Sequence, residues 1–139
     1  VKYLLDTCVV SELIKKNPEK KVVTWIEECP EDALYLCVIT LGEIQKGIAK
    51  LKDPNKKHLL QAWLDADLRE RFNGRILVVN EDTALTWGQI LGENELQGRP
   101  LQTIDSLIGA VALTNNLTVV TRDINDIEKT GARVLNPWL

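Results

Sequence analysis

Asp6, Glu43, Asp105 and Asp123 each stand where the chain passes from an apolar, strand-like run into a segment with helical periodicity. Carboxylates offer hard oxygen donors, which suit Mg²⁺ or Mn²⁺. Gathered in one place, four of them repel and raise one another's pKa unless a cation neutralises them. A cation so held lowers the pKa of a bound water, orients it for in-line attack, and stabilises charge on a phosphate and its leaving oxygen. That chemistry needs no side-chain nucleophile. The rest of the chain agrees: there is no GxSxG elbow, Walker loop or GxGxxG fingerprint. The single histidine, His58, rules out a two-histidine acid-base nuclease and is read as a surface residue at the polar start of a helix.

Taken singly, three of the acids have simple structural roles. Asp6 precedes Thr7-Cys8-Val9-Val10-Ser11-Glu12-Leu13 and reads as a helix N-cap. Glu43 completes Thr40-Leu41-Gly42-Glu43, a capping-box pattern in which the glutamate reaches back to the capping residue's amide. Asp123 reads as the cap of a short helix containing Ile127. Asp105 differs. At about 100° per residue it lies roughly 60° from Ile108 and about 20° from Ala112, in a stripe with Ile104 and Val111, so its carboxylate faces the interior. Burying an ionised group is costly without a partner, and a partner is therefore expected.

The elements that must place these acids are strands alternating with helices. Apolar, β-prone runs recur at Tyr3–Leu5, Leu34–Ile39, Ile76–Val79, Leu117–Thr121 and Val134–Leu135. That alternation predicts a parallel α/β sheet covered on both faces. Asn17-Pro18 and Asp53-Pro54 read as N-caps followed by proline at the first helical position. Asn80 caps a helix carrying Leu85, Trp87, Ile90 and Leu91, which Gly98-Arg99-Pro100 ends. Leu59, Leu60, Trp63, Leu64, Leu68 and Phe72 form an amphipathic stripe on the longest helix. In a parallel sheet, helix N-termini and strand C-termini share one edge, so all four acids are expected there, where ligands of such sheets bind. The helix N-termini favour their ionised forms.

The 139 residues, 45% apolar and 27% charged, are expected to form a single domain, 1–139, with no internal repeat or linker. No apolar run reaches membrane-spanning length, and the N-terminus lacks signal-peptide regions, so a cytoplasmic location is expected. The absence of methionine implies that the initiator is missing. Cys8, Cys29 and Cys37 show no metal or disulfide spacing and read as small buried hydrophobes. A net charge of -3 excludes nucleic-acid binding by bulk positive charge. Lys46, Lys50, Lys52, Lys56 and Lys57 form the densest cationic stretch and read as a solvated helix face.

Tyr3-Leu4-Leu5-Asp6-Thr7, Ser11-Glu12-Leu13, Thr40-Leu41-Gly42-Glu43-Ile44 with Gly47, Asp105-Ser106-Leu107-Ile108-Gly109-Ala110, Val120-Thr121-Arg122-Asp123 with Asp126, and Leu135-Asn136-Pro137-Trp138 together resemble a PIN-domain protein. The likeness is to the VapC toxins and their FitB-like relatives, and it spans essentially the whole chain. It implies a three-layer α/β/α sandwich on a five-stranded parallel sheet, ordered 3-2-1-4-5, and a Mg²⁺- or Mn²⁺-dependent endoribonuclease site. Asp6 and Asp105 match the family's best-established metal ligands, and Glu43 and Asp123 its second and fourth acidic positions. Thr7 and Thr121 match hydroxyl positions that order the site or an attacking water. The family often has asparagine where Asp123 stands, and Asp126 is the substitute acid nearby. The resemblance further implies a homodimer, a cognate antitoxin whose C-terminal segment lies in a groove by the site, and operator DNA contacted through that antitoxin. Arg122 is the first candidate for phosphate contact; the alternative is a solvated arginine or a partner to a neighbouring acid. Two other classes compete with the nuclease: a partner-binding module without catalysis, and a phosphotransfer domain. A phosphatase of the latter kind needs a second acid where Cys8 stands.

Overall fold

The computed structural model describes residues 1–139. Five strands pair in parallel: β1 (Tyr3–Leu5), β2 (Leu34–Cys37), β3 (Ile76–Leu77), β4 (Thr118–Val120) and β5 (Val134–Leu135). Their spatial order is β3-β2-β1-β4-β5, as the family resemblance implies. The central strand β1 sets Tyr3 beside Leu34 on one side and Thr118 on the other. Every expected strand is present. β2 is shorter than its apolar run because Val38 and Ile39 already belong to the helix that follows it, and β3 keeps only Ile76 and Leu77 of its run.

Alternation along the strands divides the core into two layers. Leu5, Leu36 and Val120 pack with Val9, Val22, Ile26, Leu68 and Phe72; Leu4, Cys37 and Val119 pack with Ile108, Val111, Ala112 and Ile127. Neighbouring residues of one strand point to opposite faces, so strands covered on both sides read as unbroken apolar runs. The first layer is covered by α1 (Thr7–Glu12), α2 (Lys20–Glu28), α3 (Val38–Ala49) and α4 (Pro54–Ala62). The second is covered by α7 (Thr103–Thr114) and α8 (Ile124–Glu128), with α6 (Glu81–Leu96) packed on α7. No helix is long and apolar enough to cross a membrane.

Three of the expected caps form, Asp6 at the start of α1 among them. The Asp53 side chain accepts from Asn55 N with Pro54 in the first turn, and Asn80 accepts from Thr83 N. Asn17-Pro18 does not start a helix. α2 begins at Lys20, behind Glu19, because the buried Glu12 carboxylate reaches across the connection to accept from Glu19 N at 2.8 Å. The long amphipathic segment continues from α4 through a π-helical turn, Trp63–Leu68, into α5 (Arg69–Arg71). Leu64, Leu68 and Phe72 are buried, but Leu59 lies outside that face, as Leu85 does on α6. His58 and all five lysines of the cationic stretch are exposed. All three cysteines are free thiols; only Cys37 is fully buried.

Candidate metal centre

The C-terminal edge of the sheet is built by β1 and β4 side by side. Asp6 follows β1 directly, and its backbone N–H donates to Val120 O, which carries the β1–β4 pairing one residue further. Its carboxylate is buried, and both oxygens are engaged: Oδ1 accepts from Thr7 N at 2.8 Å and Oδ2 from Thr121 Oγ1 at 2.8 Å. Asp6 is thus the N-cap of α1, as expected, and also the anchor of the β4 loop. The Thr121 hydroxyl in turn accepts from Asp123 N at 2.9 Å. Cys8, which sequence reasoning treated only as a small hydrophobe, lies 4.0 Å from Asp6 Oδ2 and 3.8 Å from Thr121 Oγ1.

Glu43 makes no capping box. α3 starts at Val38 straight after β2, which puts Thr40 inside the helix rather than at its cap. Glu43 projects instead toward α1, where its Oε1 accepts from Thr7 Oγ1 at 2.5 Å. Asp123 sits at the cap position of α8 but makes no side-chain cap bond. Both carboxylates are therefore free of the structural roles that their local sequence suggested.

Asp105 lies in the first turn of α7, half-buried, on the flank of the face that buries Ile108, Val111 and Ala112; Ile104 is exposed. The turn is pinned to α6, since Trp87 Nε1 donates to Ser106 Oγ at 2.9 Å while that hydroxyl donates to Gln102 O. Burial, and then the negative charges of Asp6, Asp126, Asp123 and Glu43, push the Asp105 carboxyl up to about 6. Asp6 is also raised, by burial foremost, although the Thr121 and Thr7 hydrogen bonds oppose the shift. All the predicted acids thus converge electrostatically on Asp105, but no three of them are gathered closely enough to grip one ion. Asp123 acts on both Asp6 and Asp105, while Asp126 stands 4.0 Å from Lys129 Nζ.

Arg122 is exposed and forms no ion pair, although its charge helps to lower the Glu12 carboxyl; its guanidinium lies 4.1 Å above the Trp138 ring. Trp138 and Glu12 are the residues around the site whose roles sequence reasoning missed, although both stand within the motifs that carry the family resemblance.

The chain matches the PIN domain family over residues 3–132. It is a PIN-domain protein. Toxin FitB of Neisseria gonorrhoeae is 35% identical to this PIN domain over 135 residues, 97% of each chain. The crystal structure of FitAcB from the same organism superposes with a TM-score of 0.93 at 34% identity, covering 98% of both chains. VapC ribonuclease Y4jK of Sinorhizobium fredii is 30% identical over 97% of this chain and 96% of its own. VapBC2 from Rickettsia felis, bound to a DNA fragment from its promoter, superposes with a TM-score of 0.81 at 25% identity, covering 98% of both chains.

Proposed function

We propose that this PIN domain, taken as one unit over residues 1–139, is a divalent-metal-dependent endoribonuclease and the toxin of a type II toxin-antitoxin pair. The observation that carries the reading is Asp105: half-buried, under the negative charge of four other acids and pushed up to about 6. An all-carboxylate donor set under mutual repulsion fits a hard dication, Mg²⁺ or Mn²⁺. Asp6, Asp105, Glu43 and Asp123 would hold it, with Asp126 in reserve, once the ion draws together carboxylates that stand apart without it. Asp123 is preferred because it acts on both Asp6 and Asp105; Asp126 weighs more on Asp105 but does not act on Asp6. Such a cation, when bound, neutralises charge at a phosphodiester and activates a water for attack.

The protein's own groups do the positioning. Thr121 fixes one oxygen of Asp6, and Thr7 fixes one oxygen of Glu43, so two hydroxyls orient two acids from opposite sides. Arg122, over the Trp138 ring and next to Asp123 in the chain, would take an RNA phosphate. Names among the relatives, toxin and VapC ribonuclease, support RNA cleavage.

The partners follow from the same reading. A cavity of about 220 Å³ opens beside Thr7 and Glu43, lined by Ile14, Ile44, Gly47, Leu60 and Trp63 among others. It suits the apolar side chains of an antitoxin segment, which would lie over the acids and block them. The toxin would act as a cytoplasmic homodimer, and operator DNA would be contacted through the antitoxin, in keeping with the DNA-bound VapBC2 relative.

The test is cleavage of cellular RNA by chain freed of antitoxin, with Mg²⁺ or Mn²⁺ and with chelator. Activity that needs metal and is abolished by Asp105→Asn, with the far-UV spectrum unchanged, is the expected outcome. Equal activity of Asp105→Asn and wild type, in preparations free of contaminating nuclease, overturns the assignment. A fold that binds antitoxin but cuts no RNA leaves the partner-binding reading in its place.

A further inference from the structure

Beyond the acids, a recess lies between α2 and the C-terminal segment. It encloses about 560 Å³ and is lined by Lys20, Lys21, Thr24, Trp25, Asn136 and Pro137, with Glu28 as its only acid. A second recess of about 460 Å³ adjoins it along α2, sharing Lys20 and Thr24 and adding Lys16. None of these three lysines is ion-paired, and all are exposed. In a protein of net charge -3, such a group of uncompensated cations marks where a polyanion is favoured.

The recess also has an aromatic wall and a link to the acids. Trp25 is half-buried and braced edge-on by Tyr3, with ring centroids 4.9 Å apart, so its ring is presented in a fixed orientation. The C-terminal segment that forms the other wall runs directly into Trp138, whose backbone N–H donates to Asn136 Oδ1 at 2.9 Å. Trp138 carries Arg122, the neighbour of Thr121 and Asp123. The cations and ring of the recess, Lys20, Lys21 and Trp25, are thus joined through Pro137 and Trp138 to Arg122 at the acidic edge. Single-stranded nucleic acid is held by this combination, phosphates on cations and bases on aromatic faces.

We propose that this recess takes a single-stranded flank of the RNA substrate, with phosphates on Lys16, Lys20 and Lys21, a base against Trp25, and Arg122 leading the strand to the acids. The inference rests on the RNA-cleaving reading and adds where the strand lies outside the cleaved bond.

The experiment uses the full chain in chelator, where binding is read without cleavage, and a short fluorescent oligouridylate carrying 4-thiouridine. Lys20→Glu/Lys21→Glu is expected to weaken binding by at least about tenfold and to lower the log-log salt slope by about 1.4. Lys50→Glu/Lys52→Glu, the same charge change outside the recess, leaves affinity nearly unchanged. Irradiation is expected to crosslink the probe to the peptide that contains Trp25. With metal restored, the double variant raises KM and leaves kcat close to wild type. Wild-type affinity in the double variant, or crosslinks only elsewhere, overturns the recess while RNA cleavage by wild type stands. A change of oligomeric state with RNA affinity intact overturns it too. Wild type that neither binds nor cuts RNA removes both readings.

Discussion

Thr121 Oγ1 donates to Asp6 Oδ2 at 2.8 Å and so ties the end of β4 to the acid that follows β1. The same hydroxyl accepts from Asp123 N, which makes one side chain the joint between two of the acidic positions. Thr121→Val keeps the shape and removes both bonds. Asp6, already raised by burial, loses the hydrogen bond that chiefly opposes the shift, so the acid limb of the pH-rate profile moves to higher pH. A buried carboxylate left short of a donor costs about 1–3 kcal/mol, measurable by denaturant unfolding. Thr121→Ser restores both properties.

Asp105 makes stability depend on pH in a defined direction. Its carboxyl is raised from 3.8 to about 6, so between those values the folded state binds the proton that the unfolded state has released. Stability contributed by the protonated form is therefore present at low pH and lost as pH rises through about 6. Asp105→Asn is expected to melt at a higher temperature than wild type above pH 6 and to converge with it near pH 4. Millimolar Mg²⁺ at neutral pH raises the melting temperature of wild type more than that of the variant, which differential scanning fluorimetry will show.

Thr7 offers a separate test, since its hydroxyl is the hydrogen-bond donor that orients Glu43. Thr7→Val leaves every acid in place and releases Glu43 from its fixed rotamer. Loss of such a supporting bond typically weakens metal affinity about 10–100-fold. Metal titration of the cleavage rate is expected to show that rightward shift, with thermal stability close to wild type.

Gly109 tests the packing beneath the site. Its Cα faces the Thr130 side chain so closely that a β-carbon would overlap it. Thr130 is itself buried and held by Ile127 O and Ala132 N, so it has no room to retreat. Gly109→Ala is expected to cost about 1–3 kcal/mol in urea unfolding. Adding Thr130→Ala recovers part of the loss, because the two sites share one contact.

Much of the fold was legible because a parallel sheet covered on both faces demands continuous apolar runs, and Leu4-Leu5, Leu34–Cys37 and Val119-Val120 supply them. Asp53 and Asn80 were legible as caps because a cap is a contact within a few residues. The same local logic failed at Thr40–Glu43, where β2 passes into α3 without a loop, and at Asn17-Pro18, where Glu12 sets the start of α2 from a distance. Trp138 beneath Arg122 left no local signal, since their contact joins the β4 loop to the C-terminal segment.

The sequence by itself determined that the acids meet at one sheet edge, because strand ends and helix starts coincide in any parallel α/β sheet. Only the tertiary structure decided what each acid does there. Asp6 is locked by Thr121, Glu43 is turned from a helix cap toward Thr7, and Asp105 is left among like charges. Hydrogen bonds between residues far apart in the chain and burial at a shared edge set those roles, and neither is a property of local spacing.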